Sequence, residues 1–427
     1  MIRNKQKGYI MRVGVIGGGA SGMMAAITAA GLGAEVTMIE HTARVGKKIL
    51  STGNGKCNFT NRNLSKDDFK GNHPSFAEPV LALFDNTSAL HFFEKCGMTV
   101  SCKRDGYYYP YSGQASTVLN TLRYQVEVHK ISVETDTEID RISKSGETFC
   151  VNTKHKKFTF DKIILACGGN AAPATGSDGS GYKFARDFGH KIIKPLPVLT
   201  YLKSKEPLLK ELAGVRANAK ITLCVDGGQV QTEEGELQLN KDNVSGIPVF
   251  QLSHEGIKAL DQKREVSVLI DFIPHMEKED LISFIEDKLV YTYEMMPVSE
   301  ILCMLIHKKI CGAVLHKCGI SFEKVMCDLS RKDIKKISGV IKNFEVKISS
   351  YPGFENAQAT MGGVDTSEID ENMMSKKVPG LYFAGEIVDI DGRCGGYNLQ
   401  WAWSSGYVAG YHSVNGEVKC YESISVK

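Results

Sequence analysis

The sequence predicts an α/β fold: a Rossmann-like nucleotide-binding domain built from both ends of the chain, with a β-rich domain and a helical subdomain inserted between the two parts. Three observations predict it. An apolar strand, a glycine turn and an alanine-rich helix open at Arg12, and a second glycine turn leads into a helix at Trp401 near the far end. Between them, from Pro195 to about Ile273, the pattern changes to short alternating strands separated by glycine turns. The boundaries read from these changes are 11–194 and 346–427 for the discontinuous nucleotide domain, 195–275 for the β-rich domain and 276–345 for the helical subdomain. A length of 427 residues agrees with two or three domains.

Composition narrows the class. Hydrophobic residues at 42% and charged residues at 24% are those of an ordinary folded protein. Glycine is in surplus, 42 residues, or near 10% against a usual figure of about 7%. Seventeen of them fall in five clusters, 17–22, 53–55, 168–181, 362–363 and 385–396. A net charge of +3 is too small to attract nucleic acid or an anionic membrane by its field, so neither is an expected partner. No stretch of about 18 apolar residues is present, and the basic N-terminus lacks a following apolar segment, so a cytoplasmic protein is expected. The ten residues before Met11 are expected to form a disordered extension. Twelve cysteines without a C-x-x-C read as reduced thiols. Cys303, His307 and Cys311, at i, i+4 spacing, would share one side of a helix. The apolar stripe there favours packing over metal, and no metal is expected.

The opening unit runs Val13-Gly14-Val15-Ile16, then Gly17-Gly18-Gly19-Ala20-Ser21-Gly22, then the helix. Gly17, Gly19 and Gly22 fit G-x-G-x-x-G, where the first makes the turn, the second admits a pyrophosphate and the third packs helix on strand. N–H groups at the helix start face the phosphates. Glu40 ends the second strand, 18 residues past Gly22, where a carboxylate can bind ribose hydroxyls. The following loop, Arg44 to Asn61, carries Lys47, Lys48, Gly53 and Asn58 and has the backbone freedom and donors of a loop wrapped round a polar ligand.

Residues 76–130 read as helical around the insert Tyr107-Tyr108-Tyr109-Pro110-Tyr111, which could line an aromatic pocket, supply a phenolic proton or be a packed strand. Short strands follow to Phe160, then the apolar strand Lys162–Cys167 ending at Gly168-Gly169. A second cluster, Ala174–Gly181, leads into a helix over Tyr182–Phe188. The chain closes with Met361-Gly362-Gly363-Val364, Gly380-Leu381-Tyr382-Phe383-Ala384-Gly385-Glu386, and Asp389-Ile390-Asp391-Gly392-Arg393-Cys394-Gly395-Gly396-Tyr397-Asn398-Leu399-Gln400, opening a helix over Trp401–Gly410. Trp401 and Trp403 read as core.

At these motifs the chain resembles the single-chain FAD flavoproteins of the aminoacetone-oxidase-like group, which include the 3-dehydro-bile-acid Δ4,6-reductase of bile-acid-dehydroxylating gut bacteria. The resemblance covers nearly the whole chain. It implies FAD at the Gly17–Gly22 turn, with Ala20, Ser21 and Lys48 near the pyrophosphate and Glu40 on the adenosine ribose. Backbone at Ile139 would touch adenine, and Gly168, Gly385, Glu386 and Asp391 would border the cofactor. Gly396, Tyr397, Asn398 and Leu399 would present a helix start to the flavin pyrimidine, whose reduced form gathers negative charge. Lys56 stands where the resemblance leads us to expect arginine, and Leu237–Asn243 departs from the usual pattern of the inserted domain, which bears on substrate.

The resemblance further implies an FAD-dependent reductase of conjugated C=C bonds in a small hydrophobic enone, a 3-oxo-Δ4,6 bile acid being the candidate. The alternatives are an FAD oxidase of a small amine such as aminoacetone, producing peroxide, and an FAD-binding protein acting in RNA modification or as a structural partner. A hydride leaves flavin N5, and an acid protonates the neighbouring carbon. Candidates for that acid or for polarising the carbonyl are Tyr107, Tyr108, Tyr109, Arg393 and Tyr397. A second G-x-G-x-x-G is absent, so NAD(P)H is expected to reach the flavin transiently. The spacing of Cys57 and Cys394 favours structural thiols.

Overall fold

The computed structural model describes residues 10–103 and 106–415; the expected N-terminal extension lies almost wholly outside them. The described residues divide into two compact units, the first made of those up to 197 together with those from 354 onward, the second of 198–353.

The first unit is built on a parallel five-stranded sheet, in the order Leu381–Phe383, Lys162–Leu165, Arg12–Ile16, Glu35–Ile39 and Ser132–Glu134. The first strand is central and apolar because it is covered on both faces, with Val13 and Val15 fully buried. Its register sets Ile16 beside Ile39 and Leu165, so three strands end together below the first glycine turn. Residues 139–160 form a three-stranded antiparallel sheet, Ile139–Ser145, Thr148–Thr153 and Lys157–Phe160.

The last helix, Tyr397–His412, lies on the first, Ala20–Gly31. A Cβ added to Gly406 would stand 2.5 Å from the Ser21 carbonyl oxygen, so only a glycine surface permits this approach. That contact joins the two ends of the chain into one nucleotide-type domain. The core is aromatic where they meet: Trp401 and Trp403 are buried, and Trp403 Nε1 donates to the Phe59 carbonyl at 2.8 Å.

The second unit has a six-stranded antiparallel sheet, ordered Leu202–Lys203, Asn243–Ser245, Gly228–Leu239, Val215–Val225, Val266–Asp271 and Phe344–Ile348. Asp226 and Gly227, with φ of 49° and 80°, make the tight hairpin between its longest strands. The helix Ile247–Asp261, unexpected in a β-rich segment, packs on this sheet. The strands expected over 195–275 and the helices expected over 276–345 occupy this one unit. Strand Phe344–Ile348, beyond the helices, pairs with Val266–Asp271.

A correction concerns Cys303, His307 and Cys311, which do not share one helix. Val298–Leu302 and Lys308–Cys318 are separate helices, and His307 caps the second, its Nδ1 accepting from the Lys309 N–H at 3.1 Å. Among the described residues no group of His, Cys, Asp and Glu could hold a metal, and no helix is long and apolar enough to cross a membrane.

Candidate functional site

A cavity of about 330 Å³ opens in the first unit above the carboxyl ends of the central strands, where open parallel sheets place ligands. It is lined by Gly17–Ser21, by Ile39–Thr42, by Gly46–Ile49, by Glu138 and Ile139, by Ala166–Gly168, by Thr175–Asp178, and by Glu386, Asn398, Leu399 and Trp401. Segments from both ends of the chain thus border one space.

The glycine turn is shaped by contact. Gly17 has φ of 103° and donates to the Ile39 carbonyl at 2.8 Å, and a Cβ on it would meet the Ala166 oxygen at 2.5 Å. A Cβ on Gly22 would collide with the Gly17 carbonyl oxygen, so this glycine sets helix against strand. Around Gly19, by contrast, an added Cβ would meet nothing within 4 Å. The first helix starts there with no capping side chain and no acidic residue in its first turn, leaving its N–H groups for an anion.

Glu40 is 8% exposed, and its carboxylate accepts from the Gly18 and Thr42 N–H groups, both at 2.8 Å. These bonds fix the carboxylate at the rim where the turn meets the second strand. His41 Nδ1 lies 3.4 Å away from it.

Across the cavity, Lys48 Nζ lies 2.6 Å from Glu386 Oε2 and 3.5 Å from Ser177 Oγ, while Glu386 Oε1 accepts from the Thr360 N–H. Ser21 Oγ donates to the Ala384 carbonyl at 3.2 Å, tying the first helix to the segment before Gly385.

The last helix also begins without a capping side chain or an acidic first turn, after Gly395 and Gly396 with φ of 126° and 97°. Asn398 locks that turn: its Oδ1 accepts from the Gly392 N–H at 2.9 Å and its Nδ2 donates to the Gly392 carbonyl at 2.7 Å. Asn58 Oδ1 is buried without a hydrogen-bond partner, beside Gly396.

Of the residues singled out in the sequence, Gly17, Gly18, Gly19, Ala20, Ser21, Glu40, Lys48, Ile139, Gly168, Glu386, Asn398 and Leu399 line the cavity together. Gly22, Gly53, Asn58, Gly385, Asp391, Gly396 and Tyr397 do not line it. Gly22, Gly385 and Gly396 shape the surrounding backbone, while Asp391 is buried in a short strand pairing with Phe69–Lys70. His41, Thr42, Ser177 and Asp178 are lining residues that had not been singled out. Ser177 and Asp178 were signalled by the glycine cluster around them; His41 carried no signal.

The five candidates for proton transfer separate. Tyr397 Oη donates to the Asn63 carbonyl at 2.9 Å, and burial pushes its phenol up to about 12. Tyr108 is hydrogen-bonded to Arg62. Tyr107 and Tyr109 alternate with it along the strand Tyr107–Pro110: the first has its ring against Gly395 and the second beside Gly53. The Arg393 N–H donates to the Asp68 carbonyl at 2.9 Å. Burial pushes the Cys57 thiol up to about 12 and that of Cys394 up to about 11, far from the range of a reactive thiolate.

FAD fits this arrangement: two uncapped helix starts, open space above Gly19 and a fixed carboxylate at the second strand are the donors and acceptors a dinucleotide with a flavin ring needs. Three curated relatives match nearly the whole chain. It is 38% identical over 406 residues to the 3-dehydro-bile acid delta(4,6)-reductase of Clostridium scindens, covering 93% of this chain and 98% of that one. It is 31% identical to the ribosomal RNA dihydrouridine synthase of Haemophilus influenzae, covering 92% and 96%. With the protein of the same name from Escherichia coli the identity is 29%, covering 92% and 95%. Residues 11–412 match the family described as HI0933-like protein Rossmann domain, and the chain belongs to that family.

Proposed function

We propose that this protein is an FAD-dependent reductase of a carbon–carbon double bond conjugated to a carbonyl, drawing electrons from NAD(P)H, with a 3-oxo-Δ4,6 bile acid as the candidate substrate. The observation that carries the reading is the reach of the 38% likeness, which runs through the cavity-lining segments and the inserted unit alike. FAD, when bound, supplies a hydride donor and acceptor at its N5 position.

The residues of the chain do the rest. Backbone N–H groups of Gly19–Ser21 and the Lys48 ammonium bind the pyrophosphate, with Glu386 holding Lys48 in place. Glu40, oriented by Gly18 and Thr42, accepts from the ribose hydroxyls. The helix start at Tyr397–Leu399 offers N–H donors where negative charge develops on reduction. Hydride addition to a conjugated alkene needs a proton for the adjacent carbon. Tyr107 and Tyr109 are the phenols assigned to that role, because their rings lie against Gly395 and Gly53, in the two glycine turns that border the cofactor segments.

A second reading is favoured by the two relatives named as ribosomal RNA dihydrouridine synthases. Uridine also presents a C=C bond conjugated to a carbonyl, so the same hydride and proton pattern serves it. The net charge of +3 favours the small substrate.

The test is anaerobic. Purified flavoprotein bleached by NADH or NADPH is offered a 3-oxo-4,6-diene steroid, a ribosomal RNA fragment, and aminoacetone with oxygen. Re-oxidation by the steroid supports the first reading, and dihydrouridine in the RNA supports the second. Peroxide formed with amine would point to an oxidase instead. A colourless protein that cannot be reconstituted with FAD would overturn every flavin reading at once.

A further inference from the structure

In the second unit the helix Val298–Leu302 ends at Cys303, and the chain turns through 304–306 before the helix Lys308–Cys318 begins. The turn brings Cys311, in the first part of the second helix, back onto the end of the first. Cys303 Sγ donates to the Ser299 carbonyl oxygen at 2.9 Å, and Cys311 Sγ donates to the same oxygen at 3.4 Å. The two thiols therefore sit side by side on one acceptor, near enough that Cys303 raises the pKa of Cys311. Two sulfurs drawn to one oxygen are placed as the two halves of a disulfide.

We propose that Cys303 and Cys311 are an oxidisable dithiol that closes to an intrachain disulfide when the protein meets hydrogen peroxide. Access decides the order of events. Cys303 is partly exposed, at a turn whose next residue, Met304, is 61% exposed, whereas Cys311 is 1% exposed. The Cys303 sulfur therefore attacks the peroxide: an S–O bond forms, the O–O bond breaks and one water leaves, giving a sulfenic acid. The Cys311 sulfur then attacks that sulfur: the S–S bond forms, the S–O bond breaks and the second water leaves. Two thiols lose two electrons and two protons, and one hydrogen peroxide is reduced. Burial and the neighbouring Cys303 push the Cys311 thiol up to about 12, so Cys311 is not the thiol that meets the peroxide first, and its part in the second step rests on its nearness to Cys303. The loop closed is short and both sulfurs lie against one carbonyl oxygen, so little chain must move.

The experiment treats the whole flavin-loaded protein with hydrogen peroxide, blocks remaining thiols by alkylation and maps cross-linked peptides by mass spectrometry. The expected result is a 303–311 cross-link, two hydrogens lighter than the dithiol, reversed by dithiothreitol. Cys57 and Cys167, both buried or engaged and with pKa values near 12, should alkylate only after unfolding. In Cys311→Ser, Cys303 should stop at a sulfenic acid trapped by dimedone. Cys303 passing to sulfinic acid in the wild-type protein without the cross-link, or Cys303 left reduced while other cysteines oxidise, would overturn the proposal. The wild-type map needs no variant to fold.

Discussion

Lys48 Nζ and Glu386 Oε2 meet at 2.6 Å although 338 residues separate them in the chain. Their side chains are 27% and 19% exposed, so the pair is partly shielded and not a surface contact of negligible worth. Glu386 keeps its bond from the Thr360 N–H if Lys48 is removed. Lys48→Met is therefore expected to leave the fold intact and to weaken FAD binding by about 1.5–3 kcal/mol, the cost of a lost charged hydrogen bond, or roughly tenfold to a hundredfold in Kd. Flavin titration of the apoprotein checks it. An unchanged Kd would remove Lys48 from the pyrophosphate site.

Gly19 and Gly22 should fail differently. A methyl at Gly19 meets open space, so Gly19→Ala should keep the melting temperature of the apoprotein while lowering flavin occupancy, because the methyl stands where the pyrophosphate must approach. A methyl at Gly22 collides with the Gly17 carbonyl oxygen, and backbone there cannot give way without moving the first strand. Gly22→Ala should cost about 1–3 kcal/mol or more of stability. Thermal melts of both apoproteins separate the two, and equal losses of stability would refute the distinction.

The contrast also shows what the sequence could and could not carry. Gly17, Gly19, Gly22 and Glu40 were legible because strand, turn, helix and acid sit within one short stretch, and local spacing dictates local geometry. Lys48 and Glu386 were legible separately; nothing local states that they form a pair. The break between Cys303 and His307 was missed because i, i+4 spacing is compatible with a continuous helix, and a histidine ring nitrogen capping Lys309 leaves no ordinary Ser, Thr, Asp or Asn signal. The inserted unit was read as two segments because its last strand, Phe344–Ile348, joins the sheet from beyond the helices. Strand pairing at such separations is tertiary information.

Glu40 is expected to support the fold as well as the cofactor. Its carboxylate is the acceptor for two backbone N–H groups at a site only 8% exposed. Glu40→Arg removes both acceptors and should cost about 1–3 kcal/mol for each amide left unsatisfied, besides expelling the ribose. Glu40→Gln keeps one oxygen and should lose less stability than flavin affinity. Denaturant midpoints of the apoproteins measure the first effect and flavin Kd the second. If Glu40→Arg melted like the wild-type apoprotein, the two hydrogen bonds would not matter to the fold.

His190 should make stability depend on pH. Its side chain is fully buried; Nδ1 lies 3.1 Å from Glu368 Oε2, Nε2 lies 2.8 Å from Ser375 Oγ, and the ring packs edge-on against Phe383. Lys377 Nζ also reaches Glu368, at 2.7 Å, so the carboxylate is shared with a second cation. Burial lowers the histidine pKa below its ordinary 6.5; Glu368 opposes that shift and Lys377 reinforces it. A lowered folded pKa means that the unfolded chain binds the proton more readily, so stability rises with pH wherever the two states differ. The contribution is complete above about 6.5 and is lost as pH falls from there toward the folded value. His412, also lowered by burial, adds in the same direction. The urea midpoint should therefore fall between pH 7.5 and about pH 5.5, with a slope from His190 of at most about 1.4 kcal/mol per pH unit, the limit for one proton. His190→Gln should be less stable at neutral pH yet show a shallower slope, the remainder coming from His412. A slope equal to that of the wild-type protein would mean that His190 is not held neutral by its surroundings.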